Sequence, residues 1–191
     1  THILACITVG IIFRFWKLNI KPSSITAPSY KTSNDNISMS NLGGIIGNSI
    51  TNSINTILLI GGFVVLFSVI ISILQNSQLL NVLTDLLSPI FAFLHIPEKF
   101  AIGFISGILE LTNGLNIICN IPEKQLSYNI ILASFLLGLG GLSVLLQVWS
   151  TIAKTDLSIK PYIIGKLLHA CISAMYTFLF LKSFIIFNFD F

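Results

Sequence analysis

The residues with the greatest chemical potential in this chain sit in one short block, Glu110-Leu111-Thr112-Asn113-Gly114. Glu110 interrupts an apolar stretch that runs from Phe100 to Leu109 before it and from Leu115 to Cys119 after it. An acidic side chain inside a membrane segment costs roughly 2.5–3.5 kcal/mol on insertion scales, so by default it marks a functional position. Thr112, Asn113 and Asn116 supply neutral donors and acceptors beside it. A second block, Gly138-Leu139-Gly140-Gly141, is followed by Ser143 and Gln147, four residues apart and so on one helical face. Glu110, Thr112, Asn113, Ser143 and Gln147 form the expected substrate-binding set. They offer hydrogen bonds without aromatic stacking, which suits a small solute that is uncharged or cationic. Two structural roles compete for Glu110: an ion pair with Lys166, or the cap of a half-helix.

Soluble-enzyme signatures are absent. The sequence holds no HExxH, CxxC, GxSxG or phosphate-binding glycine loop, so metal hydrolysis, thiol redox and nucleotide hydrolysis have no anchor. His2, His95 and His169 lack the spacing of metal ligands, and Cys6, Cys119 and Cys171 are too few and too far apart for a disulfide framework. An intramembrane enzyme needs a nucleophile paired with a base at depth, and no such pair is visible. The expectation is no enzyme, no catalytic residue, no metal and no cofactor.

The elements that must position the polar blocks follow from composition. Of 191 residues, 54% are apolar and 9% charged, with mean hydropathy +0.91. Soluble domains carry roughly 25% charged residues, so this chain has too little charge to coat a surface in water. Disordered chains are polar, which excludes disorder. The net charge of +3 is small and its Lys and Arg are scattered, so no nucleic-acid partner is expected. The fold class read from these figures is all-α: a polytopic helical membrane protein with re-entrant and discontinuous helices, whose partner is the lipid bilayer of the cell membrane.

Charge placement divides the chain. No charge lies between Asp35 and Asp85, or between Lys124 and Lys154. A bilayer core of about 30 Å takes roughly 20 helical residues, so the first gap holds a span with flanking structure and the second holds one span. Residues 1–16 read as the end of a spanning helix that begins earlier. Residues 17–44, rich in Lys, Pro, Ser, Thr and Asn, read as a polar cytoplasmic linker. Residues 45–182 form the transmembrane domain, and 183–191 a C-terminal tail. Ile46, Ile50, Ile54 and Ile57 make one helical stripe, opposed by Asn48, Asn52, Asn55 and Thr56. From there to Leu74 the helix reads as apolar all round, so that its first half alone would line something wet or bond to neighbouring helices. Leu79, Leu83, Leu86, Ile90 and Leu94 give a further stripe, on a segment that fits an interfacial or steeply tilted helix.

His95-Ile96-Pro97-Glu98-Lys99 is echoed 25 residues on by Asn120-Ile121-Pro122-Glu123-Lys124. Pro at the first helical position with Glu in the first turn is a helix-start signature. Between the two starts, a half-helix, a polar break at Glu110 and a short return predict a re-entrant element. Irregular backbone at membrane depth must be buried in protein or line a cavity. Three glycines within four positions predict an unwound or closely packed helix centre after the second start. The last span runs from about Pro161 to Phe180, with Lys166, His169, Ser173 and Tyr176 as a polar stripe facing protein. Two broken helices with a carboxylate at one break form a pattern used by secondary carriers.

Ser49-Ile50-Thr51-Asn52-Ser53-Ile54, Ile60-Gly61-Gly62-Phe63 and Ser106-Gly107-Ile108-Leu109-Glu110-Leu111-Thr112-Asn113-Gly114 resemble the YlbJ-type sporulation integral membrane proteins, which contain the nucleoside-recognition or gate domain. Gly138 to Gln147, Lys160-Pro161-Tyr162 and Lys166-Leu167-Leu168-His169 are similar in order and spacing. More remotely, Gly138 to Gln147 is similar to the broken helix of concentrative nucleoside carriers, and Glu110 to Asn113 to their re-entrant tip. The resemblance assigns residues 45–182 to a gate domain and implies a role in spore cortex formation. It also implies a substrate-binding architecture for a small polar solute such as a nucleoside. Family members are longer, which implies a missing N-terminal half as a further partner. A non-transporting assembly or scaffold protein of the sporulating cell envelope is the alternative.

Basic residues cluster from Arg14 to Lys31 and from Lys154 to Lys166, and basic loops stay cytoplasmic. An even number of crossings then separates the two segments. Cysteines placed at Ser33 and Ser158 should therefore be protected from an impermeant thiol reagent in intact cells. Labelling at either position would overturn this orientation.

Overall fold

The computed structural model describes residues 1–15, 39–121, 126–153, 155 and 157–187. Among these residues the chain is all-α, in eight α-helices with no strand. They are α1 (His2–Arg14), α2 (Met39–Asn76), α3 (Leu79–Phe93), α4 (Ala101–Leu109), α5 (Leu111–Cys119), α6 (Leu126–Leu139), α7 (Gly141–Ile152) and α8 (Lys160–Phe187), with a 3-10 turn at Glu98–Phe100 before α4. Among the described residues, three stretches are long and apolar enough to cross a membrane: Leu42–Asn76, Ser127–Ile152 and Lys160–Ser183. The first two lie between the basic segments. The core sits where α3, α4, α5 and α6 meet, with Phe91, Phe100, Ala101, Ile118, Leu132 and Leu136 buried together.

The expected half-helix, break and return is an antiparallel helical hairpin, α4 followed by α5. Its two arms touch through glycine. A Cβ on Gly114 would collide with the Gly107 backbone, and one on Gly103 would meet Ile118. Small residues let helix backbones approach closely where dispersion and hydrogen bonding, rather than water exclusion, hold helices together. The glycine block ending α6 serves both expected purposes. Gly138 lets α6 lie against the Ala170 backbone of α8, while Gly140 and Gly141 take φ +81° and +76° and end the helix.

Several boundaries and faces differ from expectation. α2 begins at Met39, inside the stretch expected to be linker; the part of that stretch before Met39 lies outside the described residues. Pro97 stands one position before the 3-10 turn in extended conformation, not inside a helix, because the chain first reverses at His95 with φ +55°. Glu98 accepts a 2.6 Å hydrogen bond from Ser88, which ties this turn to α3. The second Pro-Glu start, at 122–125, lies outside the described residues. The apolar stripe of α3 points outward, with Leu86 72% exposed, and its protein-facing side is Leu80 and Phe91. In a chain that meets lipid, the most apolar face need not be the core face.

The glycine contact between α4 and α5 carries a direct prediction. Gly114→Ala puts a methyl group into the Gly107 backbone, and overpacking of this kind costs about 1–3 kcal/mol. Gly62→Ala, where an added Cβ meets nothing within 4 Å, should be neutral. Thermal unfolding in detergent should fall clearly for the first and be unchanged for the second.

Candidate functional site

At the tip of the hairpin, Glu110 leaves the helical conformation (φ −143°, ψ 121°) and separates α4 from α5. The start of a helix leaves amide donors without partners, and Glu110 supplies them with acceptors. Its Oε1 accepts from the Thr112 amide at 3.1 Å. Its Oε2 accepts from the Thr112 hydroxyl at 2.6 Å and the Asn113 amide at 2.8 Å. The backbone is closed on both sides as well, since Glu110 donates to the Ser106 carbonyl at 2.7 Å and accepts from the Gly114 amide at 3.2 Å. Glu110 is 3% exposed. Of its two alternative structural roles, the cap is formed and the ion pair is not. Lys166 instead donates to the Gly138 carbonyl at 3.3 Å, at the end of α6. A cation at a helix C-terminus is favoured by the helix dipole and by the unpaired carbonyls there.

The two breaks meet. A Cβ on Gly141 would lie 3.2 Å from the Gly107 carbonyl oxygen and 3.3 Å from the Leu111 amide nitrogen. The first residue of α7 therefore rests on the end of α4 and the start of α5. Two further residues along α7, Ser143 is buried, and Gln147 donates to its hydroxyl at 3.2 Å. The five expected site residues thus form two groups: Glu110, Thr112 and Asn113 on the hairpin tip, and Ser143 with Gln147 on α7. No hydrogen bond among the described residues joins the groups, but the contact of Gly141 with the tip places them side by side.

Asn113 reaches further. Its side-chain amide donates to Ser68 of α2 at 2.8 Å. Next to that bond lies a cleft of about 300 Å³ whose polar lining is Ser68, Ser72 and Gln75 from α2, with Asn113 and Asn116 from α5. The expectation that α2 is apolar throughout its second half is thereby corrected. That half, not the first, carries the polar residues that face the site. Their spacing of four and three was the available signal, diluted by the valines, phenylalanines and isoleucines between them. Ser106, one helical turn before Glu110, was also missed; it is 0% exposed and its hydroxyl has no partner among the described residues. A buried hydroxyl without a partner costs about 1–3 kcal/mol.

A family model described as "Gate: Nucleoside recognition" matches residues 57–185, a range that includes both breaks. The chain is 34% identical over 141 residues, 74% of its length, to the sporulation integral membrane protein YlbJ of Bacillus subtilis (strain 168). The match covers 34% of that protein, so the chain spans about a third of the length of this curated relative. No solved structure matches.

The cap makes a prediction for Glu110. Glu110→Gln keeps one acceptor oxygen and loses the other, and removal of a capping contact costs about 1 kcal/mol. Glu110→Ala leaves two amides and a hydroxyl without their acceptor and should cost more. Detergent melting should rank wild type above Glu110→Gln, and Glu110→Gln above Glu110→Ala. Lys166→Met should not rescue either variant. Rescue would restore the ion-pair reading.

Proposed function

The chain belongs to the Gate (nucleoside recognition) family and is a multi-pass membrane protein, and on that premise we propose that it serves spore formation through a carrier-like site for a small polar solute. The site lies at the meeting of the hairpin tip with the break between α6 and α7. The observation that carries the reading is the contact of Gly141 with the Gly107 carbonyl and the Leu111 amide. Two interrupted helices that touch at their interruptions put half-helix ends and irregular backbone in one place. Carriers use such an arrangement to hold solutes near the bilayer midplane.

The cleft beside Asn113 gives the site its chemistry. Serine hydroxyls and the amides of Asn and Gln can each donate and accept, and among the described residues no charged side chain lines the cleft. Such a lining suits a neutral solute with several hydrogen-bonding groups, and a nucleoside meets that description. Glu110 then acts indirectly. With both oxygens committed to the start of α5, it sets the position of Asn113. Spore cortex formation is the process in which the whole protein would act.

A second reading, a non-transporting assembly or scaffold protein of the envelope, is favoured by one observation. Glu110 bonds to its own helix start, and Ser143 bonds to Gln147, so these groups already have partners within the protein. On that reading the breaks are packing devices. Uptake into proteoliposomes from a panel of labelled nucleosides and small metabolites separates the two. The carrier reading expects saturable uptake of at least one member. It also expects that Asn113→Ala and Ser72→Ala accumulate normally yet lower uptake about tenfold, the effect of removing roughly 1.4 kcal/mol of binding. Absence of uptake across the panel, with those variants sporulating normally, would leave the scaffold reading standing.

A further inference from the structure

The cleft between α2 and α5 has a polarity, set by the bonds its asparagines already make. The Asn120 side-chain nitrogen donates to the Asn116 backbone carbonyl at 2.8 Å and to Asn116 Oδ1 at 2.9 Å. A carbonyl accepts and never donates. The first bond therefore fixes which end of the Asn120 amide faces back along α5, and the second fixes the Asn116 oxygen against it. Asn116 Nδ2 is left as the open end, with no hydrogen bond among the described residues. Asn113, three residues earlier, is held the other way round. Its Nδ2 donates to the Ser68 hydroxyl at 2.8 Å, which leaves Oδ1 open.

Residues three apart on a helix are neighbours, about 5–6 Å between Cβ atoms. α5 thus offers the cleft an acceptor from Asn113 and a donor from Asn116, side by side. The rest of the lining is of two kinds. Ser72 and Gln75 of α2 are polar, while Ile71 of α2 and Ile117 of α5 are apolar. The volume, about 300 Å³, stands at the lower end of small-molecule sites, which run from about 300 to 1,000 Å³. A sugar is polar on every side, and its hydroxyls rotate to donate or accept, so it gains little from a fixed donor–acceptor pair or from isoleucine. A flat heterocycle has apolar faces and a polar edge whose groups cannot rotate. It matches both kinds of lining.

We propose that Asn113 and Asn116 read the edge of a heterocyclic base, so that the solute is held by its base and not by its sugar. Asn113 Oδ1 accepts from a ring N–H, and Asn116 Nδ2 donates to the carbonyl oxygen next to it. The proposal rests on the reading of this cleft as a solute site, and it adds which part of the solute is recognised and by which atoms. Two-point matches of this kind let asparagine and glutamine read base edges in nucleic-acid grooves. A lactam edge, such as N1–H beside the C6 carbonyl of inosine, carries the required donor and acceptor on neighbouring atoms. Ser68 and Asn120 act through the two asparagines, each holding one amide by one end.

Ligand-observed saturation-transfer NMR, with the protein in lipid nanodiscs, tests this with inosine, 1-methylinosine, guanosine and ribose. Inosine should bind with its base protons saturated more strongly than its ribose protons. Methylation at N1 removes the ring donor and should weaken binding about tenfold. Ribose should not compete with inosine. Asn116→Asp supplies a reversal, because it puts an acceptor where the open donor was and the site then calls for two donors. Guanosine has them, N1–H beside its 2-amino group, whereas inosine has one. The guanosine-to-inosine affinity ratio should rise about tenfold over its wild-type value. Equal binding of inosine and 1-methylinosine, stronger saturation of the ribose, or an unchanged ratio in Asn116→Asp would overturn the base-edge proposal and leave a solute site standing. Absence of binding by all three nucleosides would overturn it together with the nucleoside reading of the cleft. The methylation comparison uses the wild-type protein alone, so a variant that fails to fold does not remove the test.

Discussion

The rest of the structure depends on a single constraint: backbone amides and carbonyls at membrane depth have no water to bond with. Each helix interruption must therefore bring its own partners. At the hairpin tip, the Glu110 carboxylate takes the Thr112 and Asn113 amides of α5 and the Ser106 carbonyl takes the Glu110 amide. At the other break, Lys166 takes the Gly138 carbonyl, and Gly140 donates to the Leu136 carbonyl at 2.8 Å. A carboxylate at a helix start and an ammonium at a helix end are each on the side favoured by the helix dipole. The two charged groups are thus positioned by separate helix ends, which explains why they do not pair with each other.

Close packing then brings the breaks together. Gly114 against Gly107 closes the hairpin, Gly107 also faces Leu136 of α6, and Gly138 lets α6 rest on Ala170 of α8. Each contact needs a residue without a Cβ, and each places one interrupted helix against the next. Asn113 extends the assembly to α2 through Ser68. The polar cleft lies beside that bond, lined from both α2 and α5. Packing and site are consequences of the same small residues.

Much of this was legible in the sequence, for an identifiable reason. In an apolar chain a carboxylate or a run of glycines is conspicuous, so Glu110 and Gly138 to Gly141 marked both breaks before any fold was known. The family likeness rested on the same residues. What the sequence hid was direction. The leucine stripe of α3 is a true helical period, but lipid and protein are both apolar, and the stripe faces outward. Ser68 and Ser72 were hidden because a serine in a membrane helix can satisfy itself on its own backbone, so its presence does not announce a partner. The choice between the two structural roles of Glu110 could not be read from spacing, because it depends on which helix end Lys166 reaches.

The length of α2 has a geometric consequence. Its 38 residues make a rod of about 57 Å, whereas the hydrocarbon core is about 30 Å thick. Tilting does not remove the excess: even at 40°, the upper end of the usual range, the rod still projects about 44 Å along the bilayer normal. Some part of it must stand in the headgroup layer or beyond. Ser68 and Asn113 anchor the C-terminal half among the other helices, so the excess falls at the N-terminal end, where Asn48, Ser49, Asn52 and Asn55 are concentrated. The asparagines of that half are then those of a stalk that leaves the membrane, and the span proper begins near Thr56.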